Sequence, residues 1–184
     1  MDIKEEKKLL RKQIKEKKKE FTLNQKKELS FPIFEKLEKE EVFKNSKIIL
    51  LYWSMDDEVF THDFVEKYYK EKTILLPCVE GDNLVLRQYQ GKESMQEGEQ
   101  FNILEPKGKE FKELTQINLM IIPGVAFDNE RNRMGRGRGF YDRLLKTVPA
   151  MKIGVGFSFQ IVEKVPTEGF DVKMDKVITT DNIY

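Results

Sequence analysis

An α/β sheet with helices packed on its faces is the fold class this sequence predicts. Short, uninterrupted apolar runs such as Lys47-Ile-Ile-Leu-Leu-Tyr-Trp53 and Asn118-Leu-Met-Ile-Ile-Pro123 have the pattern of strands buried on both faces. Segments with apolar residues at helical spacing alternate with them along the chain. The length, 184 residues, suits one domain, 1–184, with a core of its own.

Taken in order, residues 2–20 read as a helix, with Ile3, Leu10, Ile14 and Phe21 on one stripe. Thr22 is placed to cap a second helix running to about Glu41. Its inward residues are Leu29, Ile33, Phe34 and Leu37, and Pro32 within it should kink it or divide it in two. The run 47–53 is the first strand, and a helical segment follows at about 60–71. Thr73-Ile-Leu-Leu-Pro77 and Leu84-Val-Leu-Arg-Gln-Tyr89 are the next strands, and 91–115 is rich in loop residues. Strands are expected at 118–123, 152–157 and 176–180, with a helix starting at Phe140-Tyr-Asp-Arg-Leu-Leu145. No repeat or linker divides the chain.

Composition narrows the function classes. A net charge of +1 carries no global bias toward nucleic acid or a membrane surface. A single cysteine excludes an internal disulfide framework, and a single histidine, His62, excludes a histidine metal cluster. His62 is expected on the surface of the third helix, and Cys78 as a small buried residue. The first eight residues lack the apolar run of a signal peptide, and the longest apolar stretches are too short to span a bilayer. A cytoplasmic protein is the expectation.

The richest motif is Arg133-Met-Gly-Arg-Gly-Arg-Gly-Phe-Tyr-Asp142. Glycines at 135, 137 and 139 allow tight turns and close backbone approach to a ligand. Successive free N–H groups in such a loop form an anion-binding concavity. Arg133, Arg136 and Arg138 add forked donors suited to phosphate or carboxylate oxygens. The helix start after the loop would aim its positive dipole end at the same spot. Asp142, one step further, is a candidate cation ligand. The loop fits neither the Walker A pattern nor the dinucleotide fingerprint. A surface turn and an RNA-binding arginine–glycine patch are the competing readings. Such patches usually lie in disordered tails, whereas this one lies between a buried strand and a helix.

Other candidates stand apart in sequence. Lys7 and Arg11, at i,i+4, flank the apolar stripe of the first helix and can reach one anionic group. Trp53 and Glu58 follow a buried strand, where ligands of α/β sheets bind. Glu58 suits the N–H edge of a heterocycle and Trp53 suits stacking on it. The plainer alternative puts Glu58 in the first turn of the next helix. Asp171 and Asp175 are candidate carboxylates for a metal or a polar network.

In order along the chain, these pieces resemble the 5-formyltetrahydrofolate cyclo-ligase family, also called 5,10-methenyltetrahydrofolate synthetases. The similarity runs through Lys7-Lys-Leu-Leu-Arg11, Ser54 and Glu58, Leu76-Pro77, and Gly98 to Ile103-Leu-Glu-Pro106. It continues through Ile122-Pro-Gly-Val-Ala-Phe-Asp128, the glycine loop with Tyr141-Asp142, and Asp171 to Thr179. The resemblance implies a three-layer α/β sandwich with a mixed, largely parallel sheet and helices on both faces. It also implies ATP- and magnesium-dependent ring closure of 5-formyltetrahydrofolate, with or without a polyglutamate tail, to 5,10-methenyltetrahydrofolate, ADP and phosphate.

Carried over by position, the resemblance assigns ATP to Lys7, Arg11 and the loop Arg133, Met134, Gly135, Arg136, Gly137, Arg138, Gly139, Phe140 and Tyr141. It assigns folate to Trp53, Glu58 and the loop middle from Arg136 to Phe140, and magnesium to Asp142 and Asp171. Arg136 is the expected catalytic residue, and a monomer the expected state. Four positions depart from the family's usual residues. Cys78 stands for a basic residue, Asn132 for glycine, Phe140 for tyrosine and Phe170 for histidine. Asn132 is expected to tolerate a left-handed turn. The rival classes are another ATP-dependent ligase or kinase on a similar sheet, and an RNA-binding protein.

Overall fold

A computed structural model describes residues 2–98 and 103–184. Two helices open the chain, α1 (Ile3–Lys19) and α2 (Leu23–Lys39), followed by the short α3 (Glu41–Asn45). Thr22 caps α2 through a reciprocal box with Gln25, so the two helices are separated where Thr22 predicts. Pro32 does not divide α2. The helix stays continuous, with the Ser30 hydroxyl donating to Lys26 O and the Lys36 ammonium to Pro32 O along it. It ends instead at Glu40, whose ψ of 127° is extended, and α3 lies beyond that break.

The central sheet has six strands. In chain order they are β1 (Ile48–Leu50), β2 (Thr73–Glu80), β3 (Asn83–Gln88), β6 (Leu119–Pro123), β9 (Met151–Gly156) and β11 (Lys176–Thr179), with β4 and β5 (Met95–Glu97, Leu104–Pro106) pairing as a separate small hairpin. The spatial order is β11-β9-β6-β1-β2-β3. Every pair is parallel except β2 with β3 at the edge. That hairpin turns at Gly81-Asp82, with Gly81 at φ +58°.

Strand β1 explains why these runs are apolar without alternation. Ile49 and Leu51 face a core closed by Ile33, Leu37 and Phe43 together with Phe64 and Val65 of α4 (His62–Tyr68). Leu50 faces the opposite core, closed by Leu144, Leu145 and Val148 in and after α5 (Phe140–Thr147). Helices therefore cover both faces, giving three layers.

A second, three-stranded sheet of β10 (Ile161–Val162), β7 (Ala126–Asp128) and β8 (Arg133–Met134) escaped the sequence pattern because its strands are two or three residues long. Its register depends on Asp128, which is buried and accepts from the amides of Glu130, Asn132 and Val165. The left-handed residue in this turn is Arg131, at φ 65°, and not Asn132. Asn132 instead donates its side-chain amide to Asp128 Oδ2 at 2.9 Å, a bond glycine could not make.

Phe127 joins the two sheets. Its buried ring lies against Gly124, Gly154 and Gly156; a Cβ at Gly154 or Gly124 would come within 2.5 Å of it. The glycines of Lys152-Ile-Gly-Val-Gly-Phe157 are thus the seat of one aromatic side chain. In the stretch 91–115, residues 99–102 lie outside the described residues. The remainder holds the β4/β5 hairpin and a short turn of 3-10 helix at Leu114–Gln116.

Candidate active site

From β1 the chain crosses to β2 on one side, and from β6 to β9 on the other. The carboxyl ends of β1 and β6 therefore flank a topological switch point, where α/β sheets open a crevice. A cleft lies there, with about 930 Å³ of open space including its mouth. Trp53 and Glu58 come to it from the segment after β1, Pro123 and Gly124 from the end of β6, and Arg136 and Asp142 from the glycine loop and α5.

The segment 51–61 is pinned before it reaches the cleft. Ser54 and Thr61 exchange hydrogen bonds, the Thr61 hydroxyl donates to Tyr52 O at 2.6 Å, and the buried Tyr52 hydroxyl donates to Val59 O. Glu58 is in this segment, four residues before α4 begins, so the helix-turn alternative does not hold. Its Oε2 accepts from the Met55 amide at 3.0 Å, and its Oε1 faces Arg136. Trp53 stacks on His62 with ring centres 3.8 Å apart. His62 is half-buried rather than a surface residue. Its Nε2 lies 3.0 Å from Ser54 O, and burial lowers its pKa against the pull of that carbonyl.

The loop is built as a backbone cradle. Gly137 and Gly139 take φ of 104° and 68°, and Gly139 leads into α5 with no side-chain cap. The amides of Phe140 and Tyr141 in the first turn of α5 donate to no acceptor among the described residues. Arg136 Nη2 contacts Asp57 Oδ1 at 2.6 Å and Glu58 Oε1 at 3.1 Å. Burial works against the charge of Arg136, but Glu58 and Asp57 outweigh it and hold its pKa above the ordinary value. Arg138, Phe140 and Tyr141 also line the cleft. Burial and Glu58 push the Tyr141 hydroxyl well up, so it stays a neutral donor.

Not every candidate faces the cleft. Arg133 reaches the cleft wall only from within: its side chain is 2% exposed, and it holds Asp142 Oδ1 at 3.0 Å and Pro123 O at 3.1 Å. Met134 is packed with Ile14, Ala126 and Val165 beneath α1. Lys7 and Arg11 lie behind the loop. Arg11 Nε donates to Gly135 O at 2.9 Å, and its guanidinium fits under Gly137. Lys7 bonds Asp171 at 2.6 Å and Glu168 at 2.8 Å. Burial tends to lower the Lys7 pKa, and those two carboxylates override it. Asp142 lines the cleft, while Asp171 sits with Lys7 and is held by the Glu168 amide. Asp175 accepts from the Lys152 amide, a polar-network role.

Among the described residues no three acidic, histidine or cysteine side chains converge as a metal cluster. The donors still suit magnesium, which binds through one or two carboxylates and substrate phosphates. Asp142 has only Oδ1 engaged, by Arg133, and turns toward the cleft. Cys78 is buried within β2, and burial pushes its thiol up to about 12, so it is no nucleophile.

Sequence reading missed Lys18, Asp57, Glu105 and Glu168, and it gave His62 a surface place instead of a stack under Trp53. Glu105 is buried at the cleft and accepts from the Val79 amide. Lys18 was discoverable, because 7, 11, 14 and 18 share one helical face.

Comparison with known proteins places this architecture. The 5-formyltetrahydrofolate cyclo-ligase family matches residues 3–180. The chain belongs to that family. It is an enzyme, a ring-forming ATP-dependent ligase of folate one-carbon metabolism. The family's reaction is the ATP-dependent cyclisation that yields 5,10-methenyltetrahydrofolate. A 5-formyltetrahydrofolate cyclo-ligase from Haemophilus influenzae is 31% identical over 144 residues, covering 73% of this chain and 76% of that protein. One from Mus musculus is 28% identical over 155 residues, covering 76% of each. The NMR structure of Aquifex aeolicus 5,10-methenyltetrahydrofolate synthetase superposes with a TM-score of 0.86 at 34% identity, over 96% of this chain and 91% of that one. A cyclo-ligase fold of this kind, with helices on both faces of a mostly parallel sheet, agrees with the α/β class expected from the apolar runs.

Proposed function

We propose that the cleft between β1 and β6 closes the 5,10-bridge of 5-formyltetrahydrofolate by phosphorylating its formyl oxygen. The observation that carries this is Arg136. It projects from the glycine loop onto Glu58, so a phosphate-handling cation and a heterocycle-handling carboxylate meet in one cleft.

The loop backbone and the α5 amides receive the nucleotide phosphates, with Arg136 and Arg138 at the cleft wall. Arg11 supports that loop from α1 through Gly135 O, and Lys7, one helical turn earlier, is neutralised by Asp171 and Glu168. Trp53, stacked on His62, offers a flat wall for the folate ring, and Glu58 offers acceptors for its N–H edge. The formyl oxygen attacks the γ-phosphorus and ADP leaves, giving an N5-iminium phosphate. N10 then attacks the activated carbon and loses its proton, and phosphate departs as the methenyl bridge forms. A formyl oxygen is a poor leaving group and a phosphate a good one. The residues therefore serve to position two substrates and to neutralise a transferring phosphoryl group. Asp142 would hold magnesium at the cleft, which would supply charge neutralisation on the phosphates; Asp171 would join it only by leaving its ion pair with Lys7.

The protein acts as a single domain, 1–184, a monomer in the cytoplasm, on folate with or without a polyglutamate tail and without nucleic acid. No helix among the described residues is long and apolar enough to cross a membrane. The test is the absorbance of methenyltetrahydrofolate formed from 5-formyltetrahydrofolate, with and without MgATP. Product that appears only with MgATP is expected. Folded protein that forms none across magnesium and pH refutes the reading.

A further inference from the structure

Six other lysines of α1 face water, but Lys18 in its last turn is only 4% exposed. An enclosed ammonium is unfavourable without a partner. Its Nζ lies 3.2 Å from Asp57 Oδ2. The other oxygen of the same carboxylate accepts from Arg136 Nη2 at 2.6 Å, and that nitrogen also reaches Glu58. A chain Lys18–Asp57–Arg136–Glu58 therefore runs from beneath α1 to the cleft wall. Desolvation lowers the Lys18 pKa and Arg136 lowers it further, while Asp57 opposes both. The protein keeps a cation where burial and a neighbouring cation disfavour it.

The charge balance gives the reason. Two cations and two carboxylates sum to zero. Without Lys18, Arg136 would be outweighed by Asp57 and Glu58, leaving a net negative cluster beside the loop that receives phosphate. Asp57, whose side chain is 40% exposed, would also lose the anchor that sets its direction. We propose that Lys18 is a positioning residue, which through Asp57 fixes the Arg136 guanidinium at the cleft wall and cancels the charge that Asp57 brings there. This deepens the proposed function and rests on Arg136 acting on the phosphoryl group.

The test is a double-mutant cycle of Lys18→Met and Arg136→Met, with Lys18→Arg as the conservative variant, read by two-substrate kinetics and thermal melting. Lys18→Met should lower kcat/KM for MgATP by on the order of ten-fold, within the range of coupling between residues of one ion-pair network. The KM for folate should change far less, and Lys18→Arg should recover most of the loss. In the Arg136→Met background, Lys18→Met should add nothing. Losses of equal size in both backgrounds, or unchanged kinetics in folded Lys18→Met, overturn the proposal. Should Lys18→Met fail to fold, Lys18→Gln, which loses the charge but keeps a polar end, takes its place in the cycle with the same expectation. If the wild type forms no methenyl product, the proposed function has failed by itself. The same cycle is then read in MgATP affinity by calorimetry. Non-additive losses there support the role of Lys18, and additive ones overturn it.

Discussion

Asp142→Asn separates a metal ligand from a structural counter-ion. Arg133 is buried, its Nε has no partner among the described residues, and Asp142 is the carboxylate that pairs with its Nη2. At 3.0 Å and an effective dielectric of about 20, the attraction is on the order of 5 kcal/mol. Removing one partner of such a buried pair altogether costs roughly 3–5 kcal/mol. Asparagine keeps an oxygen facing Nη2, so a hydrogen bond survives and only its charged part is lost. The expected destabilisation is about 2 kcal/mol. For a chain of this size that lowers Tm by roughly 4–8 °C, and Asp142→Ala should lower it further. The assays are thermal melting by circular dichroism and a magnesium titration of activity. Asp142→Asn should melt lower and need more magnesium for half-maximal rate. Melting within a degree of wild type would refute the argument that Asp142 holds the Arg133 charge. A lower Tm with an unmoved magnesium curve would make Asp142 a structural carboxylate and end its assignment to the metal.

Arg136→Ala should cost about 3–4 kcal/mol of transition-state stabilisation, on the order of a hundred-fold or more in rate, with only partial recovery in Arg136→Lys; near-normal turnover in steady-state assays would make Arg136 mere surface charge. Gly154→Ala should destabilise by about 1–3 kcal/mol through overpacking, because its Cβ meets the Phe127 ring at 2.5 Å; the smaller Phe127→Leu should relieve the clash in the double variant, and urea midpoints decide it. The Cys78 thiol is raised from 9.0 to about 12. The native state therefore keeps a proton that the unfolded state releases, and stability present below about pH 9 declines as pH rises toward 12. Cys78→Ala should flatten that part of the pH–stability curve, and an unchanged slope would exclude the thiol as its cause.

What the sequence determined by itself is what local pattern encodes. Continuous apolar runs are legible as doubly covered strands because both faces of β1, β6 and β9 meet packed side chains. Thr22 and Gln25 mark a helix start because capping is satisfied within four residues. The glycine spacing of 135–139 announces a cradle, since two of those glycines require positive φ. Contacts between residues far apart in the chain leave no such local mark. The short strands β7, β8 and β10 exist because Asp128 gathers amides from two segments. The direction of each arginine was likewise decided only by folding. Arg133 and Arg136 look equivalent in sequence, yet one turns inward to Asp142 and the other outward to Asp57 and Glu58. The burial of Lys18 follows the same logic. A lysine on a charged helix reads as solvated until tertiary packing brings Asp57 to its ammonium; Lys7 was legible beside the apolar stripe, but its partners Asp171 and Glu168 were not. Charge pairing acts over a few ångströms of space, and sequence distance does not record it.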